Sequence, residues 1–273
     1  MSLPPLSELR AVCQAPVRAA AHRHDPLYRA MSIHVTRVMV WLGVSAHAVT
    51  VVSLGLGLAA AGLLLEPTGP RLIGAMLCLQ GYLLLDYVDG EVARWSRTAS
   101  LGGRFLEQVG ANAVDPFILA ATGVGLALPA SAYLGTIGAI SQLIFRSLPA
   151  ALVLVVVAVG LRRAGEATPA PAPEPAPVPD RDPPGWSYGL YRRFRFPFFH
   201  PNFVLLMSLA CAADVLGSWA GRGPWAVTLL VTAYGVLTPV FVLWQVQIVL
   251  QHRLVEARYQ RVFVDRSPFP EHI

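Results

Sequence analysis

Six long apolar stretches, separated by short polar segments, constrain this chain more than any other feature of its sequence. A helix needs roughly 20 apolar residues to cross the hydrocarbon core of a bilayer. Only 14% of the 273 residues are charged, whereas about a quarter are charged in soluble domains. The pattern predicts an all-α integral membrane protein with six transmembrane helices, at about residues 47–66, 70–92, 104–127, 131–160, 199–219 and 224–250.

The segment before the first span has a different character. Residues 25–44 mix Arg29, His34 and Arg37 with apolar side chains such as Met31. This mixture is typical of an amphipathic helix that lies in the membrane interface rather than crossing the bilayer. We therefore expect an interfacial helix before the six spans.

The arginines indicate how the bundle is oriented. All 21 basic side chains are arginines, and they concentrate in the N-terminal arm, after the second and fourth spans, and in the tail. Only Arg71 and Arg222 fall on the opposite side. Since cytoplasmic loops are enriched in basic residues, we expect a multi-pass cell-membrane protein with both termini in the cytoplasm. A net charge of +5 placed beside apolar spans indicates contact with membrane lipid rather than nucleic acid.

The polar segments divide the chain into parts. Residues 165–184 are rich in Pro and Ala and are interpreted as a spacer, because proline stiffens the backbone and the segment has little to bury. The predicted parts are a cytoplasmic N-terminal arm (1–24), the interfacial helix (25–44), the first four spans (45–160), a Pro/Ala-rich cytoplasmic linker (161–198), the last two spans (199–250) and a cytoplasmic tail (251–273).

Acidic residues crowd where the second span ends and the third begins. Asp86 and Asp89 are three residues apart, and Glu107 and Asp115 are eight apart, so each pair shares one face of its helix. Each carboxylate buried in a bilayer costs about 2.5–3.5 kcal/mol. Divalent cations bind oxygen ligands and neutralise several carboxylates at once. The sequence therefore predicts a metal site at this junction, on the cytoplasmic side.

The same residues resemble the signature of the CDP-alcohol phosphotransferases, integral membrane enzymes of phospholipid and related synthesis. The similarity runs through Asp86-x-x-Asp89-Gly90-x-x-Ala93-Arg94, then eight residues to Gly103, and three more to Glu107. It extends weakly to the approach to the first span, where the family often has Pro-Asn-x-x-Thr. There Thr50 matches, and His47 replaces the asparagine.

The resemblance implies an activity and a set of roles. The activity is transfer of a substituted phosphoryl group from a CDP-alcohol to an alcohol or sugar-phosphate acceptor, with release of CMP. The product would be a lipid or a lipid-linked metabolite, and the enzyme a homodimer. Asp86, Asp89 and Glu107 would hold Mg²⁺ or Mn²⁺. The residues expected to contact or make room for the bound nucleotide and its phosphates are Thr50, Gly90, Ala93, Arg94, Gly103 and Arg146.

Two departures from the family pattern leave alternatives open. Glu107 replaces the third aspartate, and Ala111 replaces the fourth, which is usually assigned as the base that activates the acceptor hydroxyl. Asp115 lies one helical turn further on the same face, so either the base has moved to Asp115 or the usual activity is lost. Arg146, inside the fourth span, either binds an anionic phosphate or pairs with an acid of the third span.

Three functions follow from these alternatives. The first is the phosphotransferase. The second is a catalytically altered relative that binds a nucleotide or a lipid, which Ala111 favours. The third is a small ion-coupled transporter, which would distribute its charges over several spans instead of one junction.

Overall fold

The computed structural model describes residues 3–16, 25–164, 186–198 and 201–264. Within these ranges the chain is helical and contains no β-strand. Its helices are α1 (Leu6–Leu9, continued by a π-helical turn Arg10–Gln14), α2 (Asp25–Trp41), α3 (Ala46–Leu63), α4 (Gly69–Trp95), α5 (Leu101–Gly125), α6 (Pro129–Ala164), α7 (Trp186–Phe194), α8 (Asn202–Ser218), α9 (Trp225–Gln251) and α10 (Leu254–Tyr259).

All six predicted apolar stretches are helices, namely α3, α4, α5, α6, α8 and α9. In the described part of the chain, α3, α4, α6 and α9 are long and apolar enough to cross a membrane. The helix α8 is apolar but has only 17 residues. The helix α5 has 25 residues, but polar side chains such as Arg104 and Glu107 make its first half less apolar. The protein is thus a membrane-embedded helical bundle, and four of its described helices are both long enough and apolar enough to cross a membrane.

The predicted boundaries between the parts of the chain are only partly described. The whole Pro/Ala spacer at 165–184 lies outside the described residues, as do residues 17–24 of the N-terminal arm and 265–273 of the tail. Both ends of the predicted linker are helical, because α6 extends to Ala164 and α7 follows the spacer. Tyr191 and Phe198 are buried in the main core, so this end of the linker packs against the bundle.

The helix α4 lies at the centre of the bundle, because α2, α3 and α8 all pack against it. The helix α6 lies between α5 and α9. Buried side chains at the centre include Leu79, Tyr82 and Phe203. Large apolar side chains such as Leu154 and Leu243 are exposed on the outside, which is the distribution expected of helices that face lipid.

Glycines bring α6 into backbone contact with both of its neighbours. A Cβ atom on Gly123 of α5 would lie 2.8 Å from the Cα atom of Gly135 in α6. One on Gly138 of α6 would lie 3.1 Å from the backbone nitrogen of Gly235 in α9. Small residues allow this close approach between helices in membranes. The three helices therefore form a tightly packed unit.

An N-terminal segment, residues 6–14, packs against the C-terminal end of α4. Leu9, Cys13 and Ile33 form a small buried cluster that also touches Leu6 and Trp95. The helix α2 falls within the segment 25–44, packs on α4 and exposes apolar side chains on its other face. Its position in the membrane interface stays a prediction.

Candidate functional site

The turn between α4 and α5 brings the two acidic helices together. Arg97 adopts a left-handed conformation with φ of 55°, and the amide of Thr98 donates to the carbonyl of Ala93 at 3.0 Å. This bonding pattern ends a helix and turns the chain. The next helix then begins with a cap, since Ser100 Oγ accepts from the amide of Gly103 at 3.1 Å. The acids of α4 and α5 consequently lie on either side of one short turn.

A cavity of about 610 Å³ lies at this turn. Four elements and the turn itself form its wall. The lining residues are Arg29 from α2; Ala46, His47 and Thr50 from α3; Asp86, Tyr87, Asp89, Gly90, Ala93 and Arg94 from α4; Thr98, Ala99 and Ser100 from the turn; and Gly103, Arg104, Glu107 and Gln108 from α5.

The predicted metal ligands Asp86, Asp89 and Glu107 all line this cavity. They do not form a ready-made cage, because within the described ranges no three His, Cys, Asp or Glu side chains are grouped closely enough to hold a metal ion. Mg²⁺ usually keeps several waters and binds one or two carboxylates together with substrate phosphates. Oxygen ligands on the wall of a cavity this size fit a metal site that the substrate completes.

Thr50 orients one of the three carboxylates. Its Oγ1 donates to Oδ2 of Asp89 at 2.6 Å, which joins α3 to α4 at the cavity. Asp89 is only 6% exposed, so its remaining accessible surface faces the cavity that it lines. Thr50 is the residue that matches the family pattern before the first span, and this hydrogen bond gives that match a physical reason.

The small residues of the motif leave room at the wall. A Cβ atom on Gly90 would lie 3.2 Å from Nη1 of Arg94, so Gly90 gives the guanidinium group its space. A Cβ atom on Gly103 would lie 3.9 Å from Nε2 of His47 and would occupy part of the cavity. Ala93 lines the wall next to Arg94. These small residues therefore leave space at the wall of the cavity for a bound ligand.

Asp115 and Arg146 are the two predicted site residues that do not line the cavity. Arg146 Nη2 donates to Oδ2 of Asp115 at 2.6 Å, with the two side chains 4% and 0% exposed. The same guanidinium donates from Nη1 to the carbonyl of Ala111 at 2.8 Å and from Nε to the carbonyl of Phe198 at 3.3 Å. The ion pair with an acid of the third span is therefore present, and binding of an anionic phosphate by Arg146 stays a prediction. The role of Asp115 as a base stays a prediction, and it requires a rearrangement that connects the buried carboxylate to the cavity.

Sequence reasoning missed Arg29, which reaches the cavity from α2. Its guanidinium carbon lies 5.6 Å from the centre of the Tyr87 ring, and the ring of Tyr28 stacks on Tyr87 with centroids 5.6 Å apart. The only signal was a basic residue in an amphipathic helix, and membrane anchoring explains that equally well.

Asp214, to which the sequence assigned no role, caps a helix. Its Oδ1 accepts from the amide of Ala226 at 2.7 Å, and its Oδ2 accepts from the amide of Val227 at 2.9 Å. These amides belong to the first turn of α9, where backbone donors lack partners within the helix. The carboxylate therefore has a structural role.

The fold and the site together define a class: a helical membrane protein with a polar cavity of acidic and basic side chains, suited to a phosphorylated ligand. The family model described as CDP-alcohol phosphatidyltransferase matches residues 43–178. Through these residues the chain belongs to that family, which confirms the resemblance seen in the sequence. The family transfers substituted phosphate groups from CDP-alcohols. No curated protein matches the chain significantly.

Proposed function

We propose that this protein is a metal-dependent CDP-alcohol phosphotransferase, which transfers the substituted phosphoryl group of a CDP-alcohol to an acceptor alcohol and releases CMP. The observation that carries the proposal is the shared cavity at the α4–α5 turn. Carboxylates suit Mg²⁺, and guanidinium groups suit phosphate oxygens. Three of each line the cavity: Asp86, Asp89 and Glu107, and Arg29, Arg94 and Arg104.

Each predicted site residue that lines the cavity has a proposed task. Asp86, Asp89 and Glu107 would hold Mg²⁺ (or Mn²⁺), which when bound supplies positive charge to the pyrophosphate oxygens and to CMP as it leaves. Thr50 fixes the Asp89 carboxylate through its hydrogen bond. Arg94 pairs with a donor phosphate. Gly90, Ala93 and Gly103 leave the wall open for the nucleotide.

The transfer also needs a base. The acceptor oxygen forms a bond to phosphorus, the bond from phosphorus to the CMP oxygen breaks, and CMP keeps that electron pair. The acceptor proton must pass to a protein group or to water. Asp115 is the base predicted from the sequence. It is fully buried, its Oδ2 accepts a hydrogen bond from Arg146, and it does not line the cavity. It therefore serves as the base only if acceptor binding opens a path to its carboxylate.

The surroundings of the site are part of the proposal. The arginine distribution supports a multi-pass protein with both termini and the cavity on the cytoplasmic side. Access from that side suits a water-soluble alcohol or sugar-phosphate acceptor, while a lipid partner reaches the cavity through the bilayer. Membership in the family supports a homodimer.

A relative that binds its ligand without transferring phosphate is the second candidate. It is favoured by Ala111, which stands where the family has its fourth acid and whose carbonyl is bonded to Arg146. That bond holds the backbone at Ala111. The alanine side chain has no group that could accept a proton from an alcohol.

One assay separates the two candidates. The purified protein is incubated with labelled CDP-alcohols and a panel of polyol and sugar-phosphate acceptors, with Mg²⁺ or with EDTA, and CMP is measured. We expect CMP release that needs both metal and acceptor, and a fall of at least about 100-fold in Asp89→Asn, since metal stabilisation contributes several kcal/mol. Asp214→Asn, a buried carboxylate far from the motif, is the control. Binding of a CDP-alcohol without CMP release would favour the second candidate, and absence of both would contradict the two together.

A further inference from the structure

Glu91 lies inside the acidic motif but turns away from the cavity that the motif lines. It is fully buried and its carboxyl group accepts three hydrogen bonds. Gln14 Nε2 and Ser32 Oγ donate to its Oε1 at 2.7 and 2.8 Å, and Thr36 Oγ1 donates to its Oε2 at 2.6 Å. Glu91 therefore connects α4 to the N-terminal segment and to α2.

The N-terminal segment also holds two arginines that line the cavity, Arg94 through its side chain and Arg29 through its backbone. Arg94 Nε donates to the carbonyl of Cys13 at 2.7 Å. Gln14 Nε2, the same nitrogen that binds Glu91, donates to the carbonyl of Arg29 at 2.7 Å. One amide group thus links the Glu91 carboxyl group to Arg29, and the neighbouring carbonyl of the N-terminal segment holds Arg94.

The thiol of Cys13 reports whether the segment is docked. Cys13 is fully buried, and burial, followed by the charge of Glu91, raises the pKa of its thiol to about 11. Since the thiolate is the reactive form, Cys13 reacts slowly with maleimides while the segment stays in place. Its reactivity rises if the segment separates from α4.

We propose that Glu91 is a positioning residue: by docking the N-terminal segment and α2 onto α4, it holds Arg29 and Arg94 at the cavity, where they bind the phosphates of the donor. The inference rests on the proposed function. Residues 43–178 match the family, so the N-terminal segment and α2 lie before the matched region and add Arg29 to the site. A guanidinium group held in place in advance loses less freedom when it binds phosphate.

A kinetic test uses Glu91→Gln, which keeps the size of the side chain but replaces one acceptor oxygen with a donor. We expect the KM for the CDP-alcohol to rise roughly tenfold, as for the loss of one hydrogen bond to a charged group. We expect a much smaller change in kcat, because binding that is equal in ground and transition states affects KM alone. Asp214→Asn also alters a buried carboxylate, one that accepts two hydrogen bonds, and it should leave KM unchanged. Equal KM changes in the two variants, or none in Glu91→Gln, would overturn the inference.

A double-mutant cycle tests whether Glu91 acts through the arginines. In an Arg29→Ala, Arg94→Ala background, adding Glu91→Gln should change the dissociation constant of the CDP-alcohol less than about twofold, because coupled residues give non-additive effects. An additional tenfold loss in that background would show that Glu91 acts by another route. This measurement needs binding alone, so it also applies if the protein releases no CMP, a result that would contradict only the proposed function.

Thiol labelling supplies a third readout. With Cys78→Ala and Cys211→Ala in both proteins, Cys13 should react with a maleimide at least about tenfold faster in Glu91→Gln than in the parent. A bound CDP-alcohol should slow the reaction in each protein, because its phosphates hold the arginines and the segment bonded to Arg94. Equal labelling rates in the variant and the parent would contradict the docking role.

Discussion

Two groups of acidic side chains occupy apolar helices of this protein but have different surroundings. At the α4–α5 turn, the carboxylates line a cavity that a ligand can enter. Elsewhere in the bundle, Asp115 is paired with Arg146, and Asp214 accepts hydrogen bonds from two amides of α9. An acid within an apolar helix costs free energy wherever it lies. In a structural acid, a protein group offsets this cost. In a functional acid, a ligand does so.

The ion-coupled transporter is disfavoured by the same comparison. Buried acids that couple ions line a pathway and change partners during transport. Asp115 and Asp214 are each bonded to protein groups and are 0% and 1% exposed. In the described part of the chain, neither lines the cavity in which the other acids meet.

Removal of Arg146 tests most directly whether Asp115 is a structural acid. In Arg146→Ala, Asp115 stays buried without its counter-charge, and we expect a loss of about 3–5 kcal/mol in the free energy of unfolding. Thermal unfolding of the purified protein in detergent, followed by size-exclusion chromatography, measures the loss. A variant as stable as the parent would show that the pair contributes nothing to the fold.

The matched control replaces both partners. Asp115→Leu combined with Arg146→Met removes the two charges together, and buried ion pairs replaced in this way are often neutral in stability. If the pair is structural, the double variant folds and still releases CMP. A stable double variant without CMP release would instead support Asp115 as the base.

A smaller effect is expected from Thr50→Val, which keeps the shape of the side chain but removes the hydrogen bond to Asp89. Hydrogen bonds to charged groups contribute about 1.5–3 kcal/mol, so CMP release at low Mg²⁺ should fall at least about tenfold. Titration of the rate with Mg²⁺ should show weaker metal binding, so that half of the maximal rate is reached only at a higher Mg²⁺ concentration. Ser53→Ala is the control, because Ser53 Oγ donates to the carbonyl of Tyr82 at 2.9 Å across the same two helices. Equal effects of the two substitutions would reduce Thr50 to a packing residue.

The smallest effect is expected from Asp214→Asn. The variant weakens a cap on α9, and caps of this kind contribute about 1 kcal/mol. The midpoint of thermal unfolding should fall slightly, while the rate of CMP release per folded molecule stays the same. A folded variant with a much lower rate would mean that an acid far from the cavity takes part in function, and the contrast between the two groups would no longer hold.

Spacing along the sequence was enough to predict that the acids at the end of α4 and the start of α5 lie near one another. Asp86, Asp89 and Glu107 belong to consecutive helices joined by a short turn, so helical periodicity alone places them near one another. The six helices were predictable for a similar reason, because each contains a long apolar stretch. Helix ends differed by a few residues, as where α6 continues to Ala164.

Partners that come from distant parts of the chain were not predictable. Glu91 occupies a variable place in the motif, and its partner Gln14 is 77 residues away. Arg146 had two interpretations because the sequence does not say which way a side chain in a span points, and its partner Asp115 is 31 residues away. Local patterns define helices and their faces, whereas packing between helices decides which polar groups find each other.

The bond between Asp115 and Arg146 also bears on how the chain enters the bilayer during synthesis. The ribosome completes α5, with its carboxylate, before the arginine of α6 exists. The helix α5 is not among the described helices that are apolar enough to cross a membrane, and a lone carboxylate adds about 2.5–3.5 kcal/mol to the cost of insertion. The helix α6 is among the apolar helices and brings the opposite charge. Partition into lipid is therefore expected to be favourable for the α5–α6 hairpin as a unit and poor for α5 by itself.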